Sequence, residues 1–112
     1  MPTLDLRPKW LETVRYLAAR YTPDAEVFAY GSRVNGTAHD GSDLDLCVRN
    51  PDDPDRPVYG VDALREAFSE SNLPILVDLL DWAILPESFR REILKSDTFL
   101  IQPDGSKDRC SP

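Results

Sequence analysis

The stretch YGSRVNGTAHDGSDLDLCV, residues 30–48, combines three glycines with two aspartates that stand two positions apart. Its last part, residues 43–48, alternates polar and apolar types, which is typical of a strand with one buried face. The leucines of that part share one face, so Asp43 and Asp45 share the other, about 7 Å apart along the strand. A strand that presents two neighbouring carboxylates needs a physical reason for them.

Two carboxylates that point at one spot repel each other and are costly to remove from water. A divalent cation offsets both costs. Mg²⁺ accepts one or two protein carboxylates and completes its octahedron with water and phosphate oxygens. Two such ions, bridged by the same carboxylates, support an in-line displacement at phosphorus. Asp43 and Asp45 therefore predict a magnesium site that acts on a phosphorylated substrate.

The pair Gly31-Ser32 follows directly on a predicted strand, residues 25–30. A glycine at this place allows the backbone to turn sharply and to come close to a ligand. We expect one helical turn after it, with Ser32 as the cap. The start of such a turn offers a hydroxyl and main-chain N–H groups to a phosphate. The pattern predicts a phosphate site beside the metal site.

A third carboxylate lies inside the apolar segment ILVDLLDW, residues 75–82. On a regular strand Asp78 and Asp81 face opposite sides, so only one of them can face the metal site. We choose Asp78 because it is mid-strand, and we expect Asp81 to cap or end the strand. Asp78 can then either complete the metal site or accept a proton from an attacking hydroxyl.

The rest of the chain predicts a small α/β (α+β) domain. Apolar residues at helical spacing predict helices at 8–21, 61–71 and 86–97, the last with Phe89, Ile93 and Leu94 inward. Residues 98–102 predict an edge strand, and the proline-rich loop 50–60 is expected to border the site. The element order indicates a small mixed sheet of three or four strands, with helices packed on one side.

Composition sets the limits of function. The 112 residues carry a net charge of -7, which argues against direct nucleic-acid binding because a basic footprint is missing. We expect one domain over 1–102, a flexible tail over 103–112, and neither a disulfide nor a zinc site from the two cysteines. No signal peptide and no apolar run of about 18 residues is present, so we expect a cytoplasmic protein without a membrane segment.

Gly31-Ser32, ten residues, then Asp43-Leu44-Asp45, with a later isolated Asp78, resemble the minimal nucleotidyltransferases of the DNA polymerase β superfamily. The resemblance runs over residues 8–102 and implies a polymerase-β-like nucleotidyltransferase fold. It also implies the role of each motif residue. Asp43, Asp45 and Asp78 would be catalytic and hold Mg²⁺, and Gly31, Ser32 and, next to them, Arg33 would bind the nucleotide.

Stand-alone members of this length resemble MntA-type antitoxins, which are encoded beside a HEPN-domain toxin. The resemblance implies transfer of AMP from ATP, with two Mg²⁺ ions, to a hydroxyl of that toxin, in particular a tyrosine, within a hetero-oligomer. Larger family members carry an extra lobe that grips the base, so we expect a partner to complete the site here. Two alternatives stay open: a non-catalytic module that neutralises the toxin by complex formation, and a transferase acting on a small molecule such as an aminoglycoside.

Overall fold

Four strands form a mixed sheet in the computed structural model, which describes residues 3–39 and 41–103. The strands are β1 (Glu26–Tyr30), β2 (Leu44–Arg49), β3 (Val77–Asp81) and β4 (Phe99–Gln102), and their order across the sheet is β3-β2-β1-β4. β1 pairs antiparallel with β2 and with β4, whereas β2 pairs parallel with β3. The predicted α/β class and mixed sheet are confirmed. The predicted tail lies, apart from Pro103, outside the described residues.

The helices are α1 (Pro8–Tyr21), α2 (Ser32–Asn35), α3 (Val61–Glu70) and α4 (Glu87–Lys95), with a 3₁₀ turn at Trp82–Ile84. The bounds of the elements agree with the sequence predictions to within two residues. Pro8 occupies the first turn of α1, where its missing N–H breaks no helical hydrogen bond. Within the described ranges, no helix is both long and apolar enough to cross a membrane.

The main core lies between one face of the sheet and the helices α1 and α3. The inward residues of β1 and β2 alternate along each strand, as the period of a strand requires. They pack against the apolar stripes of the two helices, and the fully buried members of this cluster are Val14, Ala18, Val27, Ala29, Leu44, Leu46, Val48 and Leu64. The face that the alternation in residues 43–48 predicted to be buried is therefore the core face.

α4 lies on the opposite face, where the sequence analysis expected no helix. Phe28 and Cys47 are the buried apolar residues of β1 and β2 on that side, and they form a second cluster with Trp82 and Ile93. This small cluster buries only one residue of α4. The prediction that Phe89 and Leu94 also point inward is wrong, since 40% of Phe89 and 64% of Leu94 are exposed.

The buried Asp81 anchors the segment between β2 and α3. Its carboxylate accepts hydrogen bonds from the main-chain N–H of Val58 at 3.0 Å and of Ala83 at 3.2 Å, and it caps the 3₁₀ turn. As predicted, β3 ends at Asp81. Arg90 adds an ion pair to Asp55 at 2.8 Å. These contacts fasten the proline-rich loop to α4 and to Asp81, which pairs with Val48, three positions along β2 from Asp45. That the loop borders the site stays a prediction.

The two aspartates of β3 provide a matched test of this anchor. Asp81→Ala removes an acceptor from two main-chain N–H groups, and we expect it to lower the free energy of unfolding by about 2 kcal/mol. Asp78→Ala changes an exposed side chain on the same strand, and we expect less than about 0.5 kcal/mol. Urea denaturation of both variants measures the difference. Equal losses would contradict a structural role that is particular to Asp81.

Candidate active site

The chain turns sharply at the end of β1 because Gly31 adopts a left-handed conformation, with φ of 81°. The carbonyl oxygen of Gly31 accepts hydrogen bonds from the N–H groups of Val34 and Asn35, both at 3.0 Å. Gly31 is therefore the N-cap of α2, and Ser32 is its first residue. The prediction that Ser32 caps the helix is wrong, because the cap lies one residue earlier, at Gly31.

Strand pairing brings two of the three predicted carboxylates side by side. Asp45 on β2 is in register with Asp78 on β3 and with Tyr30 on β1. Residues in register on neighbouring strands project from the same face, about 4.8 Å apart. Tyr30, Asp45 and Asp78 therefore form a row across the sheet. Asp43 immediately precedes β2 and is exposed.

The carboxylates of this row interact with one another. The pKa of Asp45 is raised above its ordinary value by burial first, then by the charges of Asp78 and Asp43. The pKa of Tyr30 is also raised, mainly by burial and further by the Asp45 and Asp78 charges, so its phenol stays neutral. The site thus concentrates negative charge that only a cation would offset.

The turn at Gly31 packs directly against the Asp45 carboxylate. A Cβ atom placed on Gly31 would lie 2.5 Å from Oδ2 of Asp45, which is closer than two such atoms approach. The absence of a side chain at this position therefore lets the turn and the carboxylate share the same small volume. In this way the two motifs that the sequence separates by ten residues become one site.

The donor set fits a hard cation that shares its coordination with a substrate. Among residues 3–39 and 41–103, no three His, Cys, Asp or Glu side chains form a complete metal site by themselves. Mg²⁺ usually takes one or two protein carboxylates and keeps water and phosphate oxygens for its other positions. Asp45 and Asp78, with Asp43 nearby, meet that smaller requirement. Such a site would be completed by a phosphorylated ligand.

Arg33 does not stand where the sequence analysis expected it. Only 4% of this residue is exposed, and its guanidinium donates from Nε to the carbonyl oxygen of Ser42 at 3.1 Å and from Nη1 to that of Asp5 at 2.7 Å. The main chain of Arg33 also accepts a hydrogen bond from the Asp5 N–H. Arg33 therefore braces the loop before β2 and the segment before α1. Its predicted contact with phosphate is corrected to a structural role.

Tyr30 lies beside Asp45, and Phe89 packs against Tyr30; sequence reasoning predicted neither contact. Their ring centroids are 6.5 Å apart at an interplanar angle of 86°. The sequence did hold a signal for Tyr30: it is the last strand residue before Gly31, and so lies next to the predicted phosphate site. No comparable signal existed for Phe89, since its place depends on how α4 packs on the sheet.

Residues 11–101 of the sequence match the nucleotidyltransferase domain family. The chain belongs to this family. It is a nucleotidyltransferase, and the site at Asp45 lies within the matched residues. The resemblance drawn from the motifs is thereby confirmed at the level of the family and the enzyme class.

Individual relatives agree with this assignment. The chain is 44% identical over 99 residues to Probable protein adenylyltransferase MntA of Haemophilus influenzae. The match covers 88% of this chain and 84% of that protein. A shorter match, 50% identical over 38 residues, joins 34% of this chain to 9% of Terminal uridylyltransferase cid1 of Schizosaccharomyces pombe. Because the longer match covers 99 of the 112 residues, it includes β2 and β3, the strands of Asp45 and Asp78.

The fold of the nucleotidyltransferase also matches that of a solved structure, "Crystal structure of the toxin-antitoxin with AMP-PNP". The TM-score is 0.66 at 19% sequence identity, over 88% of this chain and 77% of that chain. A likeness at this identity speaks for the fold. It confirms the predicted fold, and the four strands of the described sheet fall within the predicted three or four.

Two glycines with positive φ test the contact between Gly31 and Asp45. Gly36 lies in the αL region (φ 86°, ψ 8°), and Gly36→Ala should lose about 1 kcal/mol of unfolding free energy. Gly31 has φ 81° and ψ -154°, a region essentially confined to glycine, so the backbone of Gly31→Ala alone should cost about 2 kcal/mol. Only Gly31→Ala also displaces the Asp45 carboxylate, for about 1 kcal/mol more. Denaturation of a third variant, Gly31→Ala with Asp45→Ala, should recover the additional loss. A Gly31→Ala loss equal to that of Gly36→Ala would argue against the close packing.

The raised pKa of Asp45 predicts how stability depends on pH. The unfolded chain ionises Asp45 at about its ordinary value of 3.8, but the folded chain ionises it at higher pH. The folded state therefore loses stability as pH rises through that interval, and the loss persists above it. Asp45→Asn removes the penalty, so its melting temperature should exceed that of the wild type near neutral pH.

The pH series contains its own control. Below about pH 3 the Asp45 carboxyl is protonated in both states, so the advantage of Asp45→Asn should shrink there. Asp97→Asn changes an exposed carboxylate away from the site and should show no such pH-dependent gain. An Asp45→Asn protein that melts below the wild type at neutral pH would contradict the repulsion inferred for the row.

Proposed function

We propose that this nucleotidyltransferase is a Mg²⁺-dependent adenylyltransferase that transfers AMP from ATP to a protein hydroxyl. The acceptor we propose is a tyrosine of a cognate HEPN-domain toxin, which the chain would inactivate as its antitoxin in the cytoplasm. The observation that carries the proposal is the row of Asp45 and Asp78 packed against the Gly31 turn. The relative named as a protein adenylyltransferase and the fold shared with a toxin–antitoxin structure support the choice of nucleotide and acceptor.

The residues divide the work between holding the nucleotide and moving a proton. Asp43 and Asp45 would hold the cation, and with a second ion they would bridge the pair. Gly31 allows the triphosphate to approach the backbone, and the Ser32 hydroxyl would donate to its oxygens. When bound, Mg²⁺ supplies positive charge that offsets the charge of the phosphates.

The transfer itself is an in-line displacement. The acceptor oxygen forms a bond to the α-phosphorus, the bond from that phosphorus to the bridging oxygen of pyrophosphate breaks, and pyrophosphate leaves. Asp78 is exposed at the outer strand of the row, where an incoming hydroxyl can reach it. We assign Asp78 one of two roles: it accepts the proton of that hydroxyl as a general base, or it serves as a further ligand of the cation.

A second candidate is neutralisation by binding alone. The net charge of -7 favours it, because an acidic surface complements a basic partner such as an RNase. In that case the carboxylates would matter for the fold and surface rather than for chemistry. The two functions differ in whether neutralisation of the toxin needs intact aspartates.

Intact-mass spectrometry of the protein encoded beside this chain tests the proposal. After incubation with this chain, ATP and Mg²⁺, we expect that protein to gain one or more AMP masses, and peptide mapping should place them on a tyrosine. Asp43→Asn and Asp45→Asn should each reduce the rate at least 100-fold, on the order expected for loss of a transition-state charge contact. EDTA should stop the reaction.

Asp97→Asn is the matched control, since it removes an equal charge at an exposed position outside the site. It should transfer AMP at the wild-type rate. Transfer that survives in the Asp43→Asn and Asp45→Asn variants would refute the assignment of the site. A stable complex that blocks the partner without any mass change would favour the binding module instead.

A further inference from the structure

A partly exposed aromatic ring, that of Phe89, packs against Tyr30, the β1 member of the row. Tyr30 is directly opposite Asp45 in the pairing of β1 with β2, so both side chains project from the same face. The ring of Phe89 lies at the edge of α4, 6.5 Å from the Tyr30 ring. With 40% of its surface exposed, Phe89 offers a ring to a ligand that occupies the site.

The packing of α4 explains why Phe89 is left in this position. Ile93, one helical turn later, is the residue that α4 buries in the second cluster. Phe28 and Trp82 belong to that cluster, are each 5% exposed, and are covered by the Arg49 guanidinium at 5.3 and 5.0 Å from their rings. Phe28 and Trp82 are therefore closed to a ligand, whereas Phe89 and the part-buried Tyr30 keep accessible ring surface on this face.

The position of the site sets the direction of a nucleotide. The Gly31-Ser32 turn lies beyond the end of β1, and the carboxylates lie one and two strands away from Tyr30. With the triphosphate at the turn and the α-phosphorus at Asp45, a nucleoside that folds back over the sheet meets Phe89. In the opposite direction, towards the β3 edge, the exposed large apolar residue among those described is the aliphatic Leu76, which offers no ring.

We propose that Phe89, supported edge-on by Tyr30, is the platform on which the base of the nucleotide stacks. This inference rests on the proposed function and specifies how its nucleotide is held. A stacking platform accepts any base because every base has a π-face. Larger rings stack more strongly, so the chain should modestly prefer purines over pyrimidines and discriminate weakly between adenine and guanine.

Binding measurements separate the base from the phosphates. Isothermal titration with Mg²⁺ compares ATP and inorganic tripolyphosphate on the full chain, its Phe89→Ala and Phe89→Trp variants, and Leu94→Ala. Leu94 is an exposed apolar residue of the same helix that lies away from Tyr30, beside Leu100. We expect Phe89→Ala to bind ATP about tenfold more weakly and tripolyphosphate as the wild type does. Phe89→Trp should keep ATP binding, and Leu94→Ala should bind both ligands normally.

Each other outcome overturns the inference in a recognisable way. If Phe89→Ala binds ATP as tightly as the wild type, the base does not stack there, and the proposed function stands. If ATP and tripolyphosphate weaken together, the loss is structural and not due to the base. If Phe89→Ala weakens only the complex with the partner protein, Phe89 belongs to that interface. If the wild type binds neither ATP nor tripolyphosphate, the proposed function fails with the inference.

Discussion

The parallel pairing of β2 with β3 holds Asp45 beside Asp78, and the like charge that this pairing concentrates is the constraint on which the site depends. The register of this pair is fixed by the core face, where Leu44 and Leu46 are fully buried. A shift of one residue would expose these leucines to water and bury the carboxylates in the core. The folded chain thus keeps two carboxylates together against their repulsion. Burial first, and then the charges of Asp78 and Asp43, raise the pKa of Asp45, so ionisation of this carboxyl opposes folding.

The two faces of the sheet serve different ends. One face carries the main core and most of the apolar burial, which gives the chain its stability. The other carries the site, with only a small cluster around Trp82 beneath α4. Two buried polar residues hold the loops on either side of β2. Arg33 donates a hydrogen bond to the loop before β2, and Asp81 accepts one from the loop after it. The carboxylate row stands between these two anchors.

The carboxylate row lies on a sheet face that α4 covers only in part. In the proposed function, the Gly31 turn would hold the phosphates, the carboxylates would hold a cation, and Phe89 would stack on the base. Contacts of this kind hold a nucleotide by charge and by stacking, with few hydrogen bonds to the base. An acceptor protein that docks over the open sheet face would then provide both the attacking hydroxyl and the missing enclosure.

The sequence by itself determined the elements and the motif residues, because the period of a strand, the spacing of a helix and the chemistry of a glycine turn are local properties. It was enough to separate Asp78 from Asp81 by the face each would occupy. Only the tertiary structure decided that Asp45 stands in register with Asp78, that Arg33 is a brace, and that α4 crosses to the site face and leaves Phe89 exposed there. These depend on strand register and on packing between distant segments, which no local pattern encodes.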